Sequence, residues 1–481
     1  MPAYLRKFWQ TLTEVYKEFA MESTIHGIKY TTNAKSAIAR FLWLVVMILS
    51  LSAAGILAHK FYDKHRSASM STLVISDQFP TEKLLLPAVT LCHGSIAVVQ
   101  KVLAFFNSQK RIYIPRGLTR EDFEIALRYL REVIYPTNHF QEELDKLQQI
   151  LTANRISLLE LLDSVSLNCS DFVVMCRFEG KAMPCSMLLE PIVTQYGICC
   201  AFNYVNPDGL LQKSEGVVKF NYSRGFGALY VLSFLMKSVP SSEIISSLIY
   251  GNGIKVILHE RYTYPGPTAM EFVAADGFET VARLYGTYLI SSPEVLNLPS
   301  RVRGCYKSIS GSLPFRAENC YFDCRESITK KLCSCLPFFS TTTEGDVQVC
   351  NLTHISCLAR IASELDSLTL QDPRCNCLPS CEETTYAVTL TKVPLQDLKH
   401  RPGDLYTKAQ EYKHVTILHL TFAGQSALLE RTELVLSNIN LVSSLGGVFS
   451  LFLGFSFISI IEVIYFFCID LVIKFKQKLS I

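Results

Sequence analysis

Apolar residues run almost unbroken in two stretches of this chain and are interleaved with polar ones elsewhere. Phe41 to Ala58 is interrupted only by Ser50 and Ser52, which is sufficient for one membrane-spanning helix. Leu445 to Ile473 reads LGGVFSLFLGFSFISIIEVIYFFCIDLVI. As one helix these 29 residues would extend about 43 Å, against about 30 Å of hydrocarbon. Such a segment must tilt, overrun the bilayer or break, and Gly454 in its middle marks the place for a break. A carboxylate at the depth of Glu462 is costly unless it faces protein or water, which marks Glu462 as functional. If the helix is continuous between them, Ser456, Ser459, Glu462 and Asp470 share about 120° of arc, the polar wall of a pore.

Between these stretches the pattern predicts a mixed α+β region. Thr119-Arg120-Glu121-Asp122 opens a helix as a capping box does, with Asp in place of Glu or Gln. Phe123, Leu127, Leu130 and Ile134 form its apolar stripe, which ends before Pro136. Phe140, Leu144, Leu147 and Leu151 predict a second helix and Leu158 to Leu162 a short third, all read as core packing. Val217–Tyr222, Leu229–Leu235, Ile254–His259, Tyr386–Val393 and His414–Phe422 predict strands. No internal repeat of about 20 to 50 residues is visible.

Charge orients the two spans. Arg6, Lys7, Lys17, Lys29, Lys35 and Arg40 precede the first, and Lys474, Lys476 and Lys478 follow the second. Both termini are therefore expected in the cytosol, with about 380 residues between the spans on the outer side. Because some 40 residues precede it, the first stretch is expected to be a retained span and not a cleaved signal peptide. Of 17 cysteines, 16 lie between the spans and Cys468 lies in the second. An even set confined to one region indicates an oxidising compartment and disulfides. Cys333-Ser334-Cys335 and Cys375-Asn376-Cys377 lack the usual spacing of zinc ligands, so no metal is expected. Asn168, Asn221 and Asn351 each begin a glycosylation sequon in the same region.

Several function classes are disfavoured. A net charge of +3, with no basic cluster interleaved with aromatics, gives no reason to expect a nucleic-acid partner. His259-Glu260 lacks the second histidine of a zinc-protease helix and reads as a strand end. There is no nucleophile elbow, phosphate loop or calcium loop, and the residues suggest no enzyme.

Three separated motifs then carry a resemblance along the whole chain. Thr24-Ile25-His26-Gly27 is similar to the His-Gly motif that precedes the first span in epithelial sodium channel/degenerin channels. Leu86-Pro87-Ala88-Val89-Thr90-Leu91-Cys92 resembles the segment holding that family's first extracellular cysteine. Gly454-Phe455-Ser456, with Glu462 six residues on, resembles its Gly-x-Ser selectivity filter and downstream glutamate. The doubled cysteine in Cys199-Cys200-Ala201-Phe202-Asn203 is similar to the insect pickpocket branch, and Arg303-Gly304-Cys305 lacks the tryptophan of acid-sensing channels.

The resemblance implies a trimeric architecture. Two transmembrane helices flank a large disulfide-rich, β-containing ectodomain with helical finger and thumb elements. The implied layout is a cytosolic region at 1–40, a first span at 41–60, an ectodomain at 61–440, a pore-forming second span at 441–473 and a cytosolic tail at 474–481. It also implies the disulfides Cys305–Cys381, Cys320–Cys377, Cys324–Cys375, Cys333–Cys357, Cys335–Cys350, Cys92–Cys199 and Cys176–Cys185. Cys169 and Cys200 are left as the remaining pair, and Cys468 as a free thiol.

By the same resemblance the function is a sodium-selective or cation-permeable channel of the plasma membrane, blocked by amiloride. Its stimulus is extracellular or mechanical, and its partners are related subunits in a homo- or heterotrimer; no ligand is identified. No cofactor is implied beyond the permeant sodium ion. Gly454, Phe455 and Ser456 would be the filter, Ser459 and Glu462 would line the pore, and His26, Gly27 and Ser443 would act in gating. Near a threefold axis small residues let backbones approach, and carbonyls and hydroxyls can replace an ion's hydration shell. Glycine and serine also serve simple helix packing in bilayers, and Glu462 could instead satisfy a neighbouring subunit's backbone. Ser443 stands where degenerins lock open, and Ser444 replaces an aspartate of acid-sensing channels, so proton gating by their mechanism is not expected. A non-conducting regulatory subunit is the alternative. A purinergic-type channel shares the two-span layout but lacks the filter triplet and this number of cysteines.

Overall fold

The computed structural model describes residues 3–107, 112–205, 217–222, 225–227, 231–308, 313–340, 347–395 and 403–479. Two compact units divide the chain: residues 1–72, 292–303 and 432–481 form one, and residues 73–291 and 304–431 the other.

The larger unit is built on two large sheets, beside a two-stranded one of Ser95–Val98 and Ile244–Ser247. One has eight strands, in the order Met70–Pro80, Ser426–Leu434, Phe278–Ser291, Val415–Phe422, Leu232–Lys237, Val173–Phe178, Lys181–Met183, with Glu383–Pro394 also pairing with Phe278–Ser291. That antiparallel pairing runs from Phe278↔Pro394 to Leu289↔Glu383. The second sheet is antiparallel, in the order Met270–Ala275, Gly253–His259, Ala88–His93, Gly197–Phe202, Leu189–Thr194. Ala282, Leu284, Phe234, Leu418 and Leu420 of the first sheet share a core with Leu91, Phe202 and Val256 of the second. Gly253–His259 is buried along its whole length, and its residues are apolar apart from Lys255 and His259. Its single lysine, Lys255, is neutralised by Glu271 at 2.6 Å.

A helical layer covers part of the second sheet. The stretch expected as one helix from Thr119 through Ile134 is two pieces, the α-helix Arg120–Leu127 and a 3₁₀ turn at Leu130–Val133. The ladder tightens where the Arg128 and Tyr129 amides reach back only to Ile125 and Ala126. The Thr119–Asp122 capping box forms despite the shorter Asp side chain. Gln141–Asn154 and Leu158–Val165 follow, and Phe123, Leu127, Leu144, Leu147, Leu151, Leu161 and Leu162 meet in one buried cluster. The strand expected at Val217–Tyr222 is irregular. The Phe220 amide donates to Asn203 Oδ1 and the Asn221 carbonyl accepts from the Leu86 amide, so these backbone groups are met outside a ladder. The expected strand Leu229–Leu235 appears as Leu232–Lys237, residues 229 and 230 lying outside the described residues.

Eight disulfides tie the larger unit. They are Cys92–Cys199, Cys169–Cys200, Cys176–Cys185, Cys305–Cys381, Cys320–Cys377, Cys324–Cys375, Cys333–Cys357 and Cys335–Cys350. Seven of these are the pairs that the resemblance implies, and Cys169 and Cys200, the two left over, pair with each other. The last five are nested: Cys333–Cys357 joins the helices Ala317–Cys333 and Ile355–Ser367, and Cys320 and Cys324 tie the first of them to Cys377 and Cys375. Cross-links of this kind contribute roughly 2–5 kcal/mol each. Cys468 is free.

The smaller unit is mostly helical. Ala37–Arg66 is 30 residues, about 45 Å, and is apolar enough to cross a membrane. The second apolar stretch is a pair of helical segments, Asn438–Leu453 and Phe457–Leu479, bent by 71° at the break between them. Ala37–Arg66 packs against Asn438–Leu453. The amphipathic helix Ala3–Glu22 runs against the C-terminal helix Leu471–Leu479 in the opposite sense. Glu14 meets Lys478 at 2.6 Å, and Glu18 pairs with Lys474. Phe19 packs edge-on to Phe466 and Phe467.

Candidate functional site

The break in the second apolar stretch is written into three residues. Asn438–Leu453 starts with Ser437, which accepts the Asn440 amide, and stops at Gly454 in the left-handed conformation, φ 64°. The Gly454 and Phe455 amides return to the Ser450 and Phe449 carbonyls, a glycine C-cap that ends the helix cleanly. Ser456 is extended and caps the next helix, Phe457–Ile464. It exchanges bonds with Ser459: the Ser456 amide donates to Ser459 Oγ at 3.1 Å and the Ser459 amide to Ser456 Oγ at 3.4 Å. A C-cap and an N-cap therefore stand almost back to back, and the chain turns between them.

The segment 23–27 lies in this bend. The His26 amide donates to the Leu453 carbonyl at 2.9 Å, satisfying the last turn of the first helix. A Cβ on Gly454 would lie 2.6 Å from the His26 ring, so the histidine fills the space that the glycine leaves. Gly27 has φ 85°, and a Cβ there would meet Met47 Sδ at 2.8 Å. Both glycines are thus fixed by conformation and by contact.

Glu462 is held by the same segment. Its Oε2 accepts from the Thr24 amide at 3.0 Å, the Thr24 hydroxyl at 3.1 Å and the Ser23 hydroxyl at 3.3 Å. Thr24 Oγ1 also lies 2.7 Å from Ser459 Oγ. Three charge-assisted bonds to one oxygen offset the cost of an apolar setting. Ser459 is fully buried, while Ser456 is exposed on the single chain.

The cluster gathers Gly454, Phe455, Ser456, Ser459, Glu462, His26 and Gly27. It does not gather Ser443, which is exposed on Asn438–Leu453. Asp470 also departs from the expected arc. Between Ser456, which caps the helix, and Asp470 the regular period is interrupted once, at the π-helical turn Tyr465–Asp470, which shifts the phase after Glu462. Asp470 instead pairs with Lys474 at 2.9 Å. Sequence reading assigned no role to Ser23 and Thr24, because their partner Glu462 is 438 positions beyond Thr24. Asn168, Asn221 and Asn351 lie outside this site. Among the described residues no cluster of three or more His, Cys, Asp or Glu could hold a metal ion.

Comparison with known proteins agrees along most of the chain. A family model described as amiloride-sensitive sodium channel matches residues 19–466. The sodium channel protein Nach of Drosophila melanogaster is 27% identical, covering 99% of this chain and 89% of that protein. Pickpocket protein 28 of the same organism is 21% identical, over 93% of this chain and 77% of its own length. A bile acid-sensitive ion channel of Mus musculus is 23% identical, over 94% and 87% respectively.

Proposed function

The chain belongs to the amiloride-sensitive sodium channel family, and from that premise we propose that it is a pore-forming subunit of a trimeric, sodium-selective channel. Gly454-Phe455-Ser456 is its filter, and the His26-Gly27 segment seated in the bend gates it. The observation that carries this reading is the 71° break in the second apolar stretch. Irregular backbone at membrane depth is tolerated only where it is buried in protein or lines water. The three residues of the break are those expected to bring backbone carbonyls and a hydroxyl to an ion.

In this reading both termini are cytosolic, the larger unit is the extracellular region, and the plasma membrane is its location. The helices fastened by the nested disulfides act as the thumb, and the helices between Arg120 and Val165 as the finger. Asn168, Asn221 and Asn351 carry glycans. Amiloride blocks the pore, and the subunit assembles with copies of itself or with related subunits.

Phe455 favours a second reading, a regulatory subunit that conducts little by itself. A phenylalanine is bulkier than the small residues that suit a threefold axis, and its ring packs on Phe449 with centroids 6.4 Å apart. Expression in oocytes, alone and with related subunits, separates the two. The Ser443→Val variant, whose larger side chain obstructs closed packing, is expected to raise a standing sodium current that amiloride suppresses. No sodium-dependent current in any combination, with the chain at the cell surface, overturns the conducting reading.

A further inference from the structure

Thr24 commits its hydroxyl proton. An ionised carboxylate accepts and does not donate, so the 3.1 Å contact fixes Thr24 Oγ1–H on Glu462 Oε2. Thr24 Oγ1 then has only lone pairs to offer Ser459 Oγ at 2.7 Å, and the serine must be the donor there. With its proton on Thr24, Ser459 Oγ can only accept from Ser456 Oγ at 3.3 Å. The Ser456 amide donates to the same Ser459 oxygen at 3.1 Å, in the same sense. Burial of Ser459 keeps water from offering it another partner. The Thr24 and Ser459 hydroxyls are therefore oriented by the charge at Glu462, and Ser456 can bond Ser459 Oγ only as the donor.

We propose that Thr24 determines ion specificity. It relays the Glu462 charge through Ser459, so that Ser456 turns its proton inward and presents an oxygen lone pair to a passing cation. One Ser456 lone pair meets the Ser459 amide at 3.4 Å, and the other is left for the ion. A hydroxyl turned the other way would present a proton and repel the cation. Ordered donors in series also polarise one another, which strengthens the acceptor at the end of the row. The inference rests on the reading of Gly454-Phe455-Ser456 as the filter, and it gives Glu462 a role without contact between its carboxylate and the ion.

Thr24→Val tests it directly. Valine matches threonine in shape but has no hydroxyl, and the residue 24 amide still donates to Glu462, so the segment stays docked. The measurement is the sodium-to-potassium permeability ratio, from reversal potentials of conducting trimers whose surface content is checked by labelling. Thr24→Val is expected to lower the ratio about fivefold, the weight of one net hydrogen bond. Thr24→Ser should keep the parent value, and Ser459→Ala, which cuts the same row at another link, should match Thr24→Val. Ser456→Ala checks the filter reading separately. A shifted ratio in Ser456→Ala with parent values in both Thr24→Val and Ser459→Ala overturns the relay and leaves the filter standing. No shift in Ser456→Ala removes both. Failure of Thr24→Ser to keep the ratio also overturns the relay, since packing would then be the cause. Should Thr24→Val not reach the surface, Ser459→Ala and Thr24→Ser decide the matter.

Discussion

At Gly454 a single hydrogen atom decides whether two ends of the chain can meet. A methyl group there would strain a left-handed residue and press on the His26 ring at 2.6 Å. The backbone strain alone is worth about 1–3 kcal/mol. Gly446, in the helix just before, has open space for 4 Å around the point where a β-carbon would sit, and is an internal control. Gly454→Ala is expected to lower the melting temperature of the detergent-solubilised protein, while Gly446→Ala leaves it unchanged or raises it. Equal melting temperatures would contradict both the left-handed strain at Gly454 and its contact with His26. Glu462 and the His-Gly dipeptide were legible as unusual residues, one by the cost of its charge and the other by resemblance. That Thr24 joins Glu462 was not legible, because hydroxyl partners that far apart leave no periodic trace.

Elements were readable where one face is uniformly apolar. Gln141–Asn154 and Leu158–Val165 follow their stripes, and the break at Gly454 follows from length against bilayer thickness. Phe278–Ser291 escaped notice because its buried positions include Thr280 and Ala282, too small or polar to mark a buried face. The arc that includes Asp470 holds only for an unbroken helical period, and a π turn that interrupts it leaves no mark in the sequence. Strand Glu383–Pro394 opens on a residue that makes the larger unit pH-sensitive. Burial pushes the Glu383 carboxyl up to about 7, the Glu318 carboxylate adding to the shift and Arg316 opposing it. A raised carboxyl favours the folded state fully below its ordinary value, and that contribution is lost as pH rises through about 7. His93 has the opposite slope, since burial lowers it to about 4 and its contribution is lost as pH falls toward that value. Glu383→Gln should therefore melt higher than the parent near about pH 8 and lose that advantage near about pH 5. An advantage independent of pH would contradict the burial of this carboxyl.

For the molecule as a whole, the membrane assignment joins an unbroken apolar helix, a bent apolar pair, and a disulfide-bonded unit between them in sequence. The confinement of 16 cysteines to that interval was visible in the sequence and is now matched by eight bridges. Which residues of the bend face an ion is a property of the assembled channel, and it is open to one direct measurement. Ser456→Cys exchanges a hydroxyl for a thiol of similar size that binds soft metals. In open channels held in mixed sodium and potassium, the reversal potential of Ser456→Cys is expected to move from the parent value, and extracellular silver or cadmium to block. A parent reversal potential and no metal block, with the variant present in the conducting channel, would contradict the assignment of Gly454-Phe455-Ser456 as the filter.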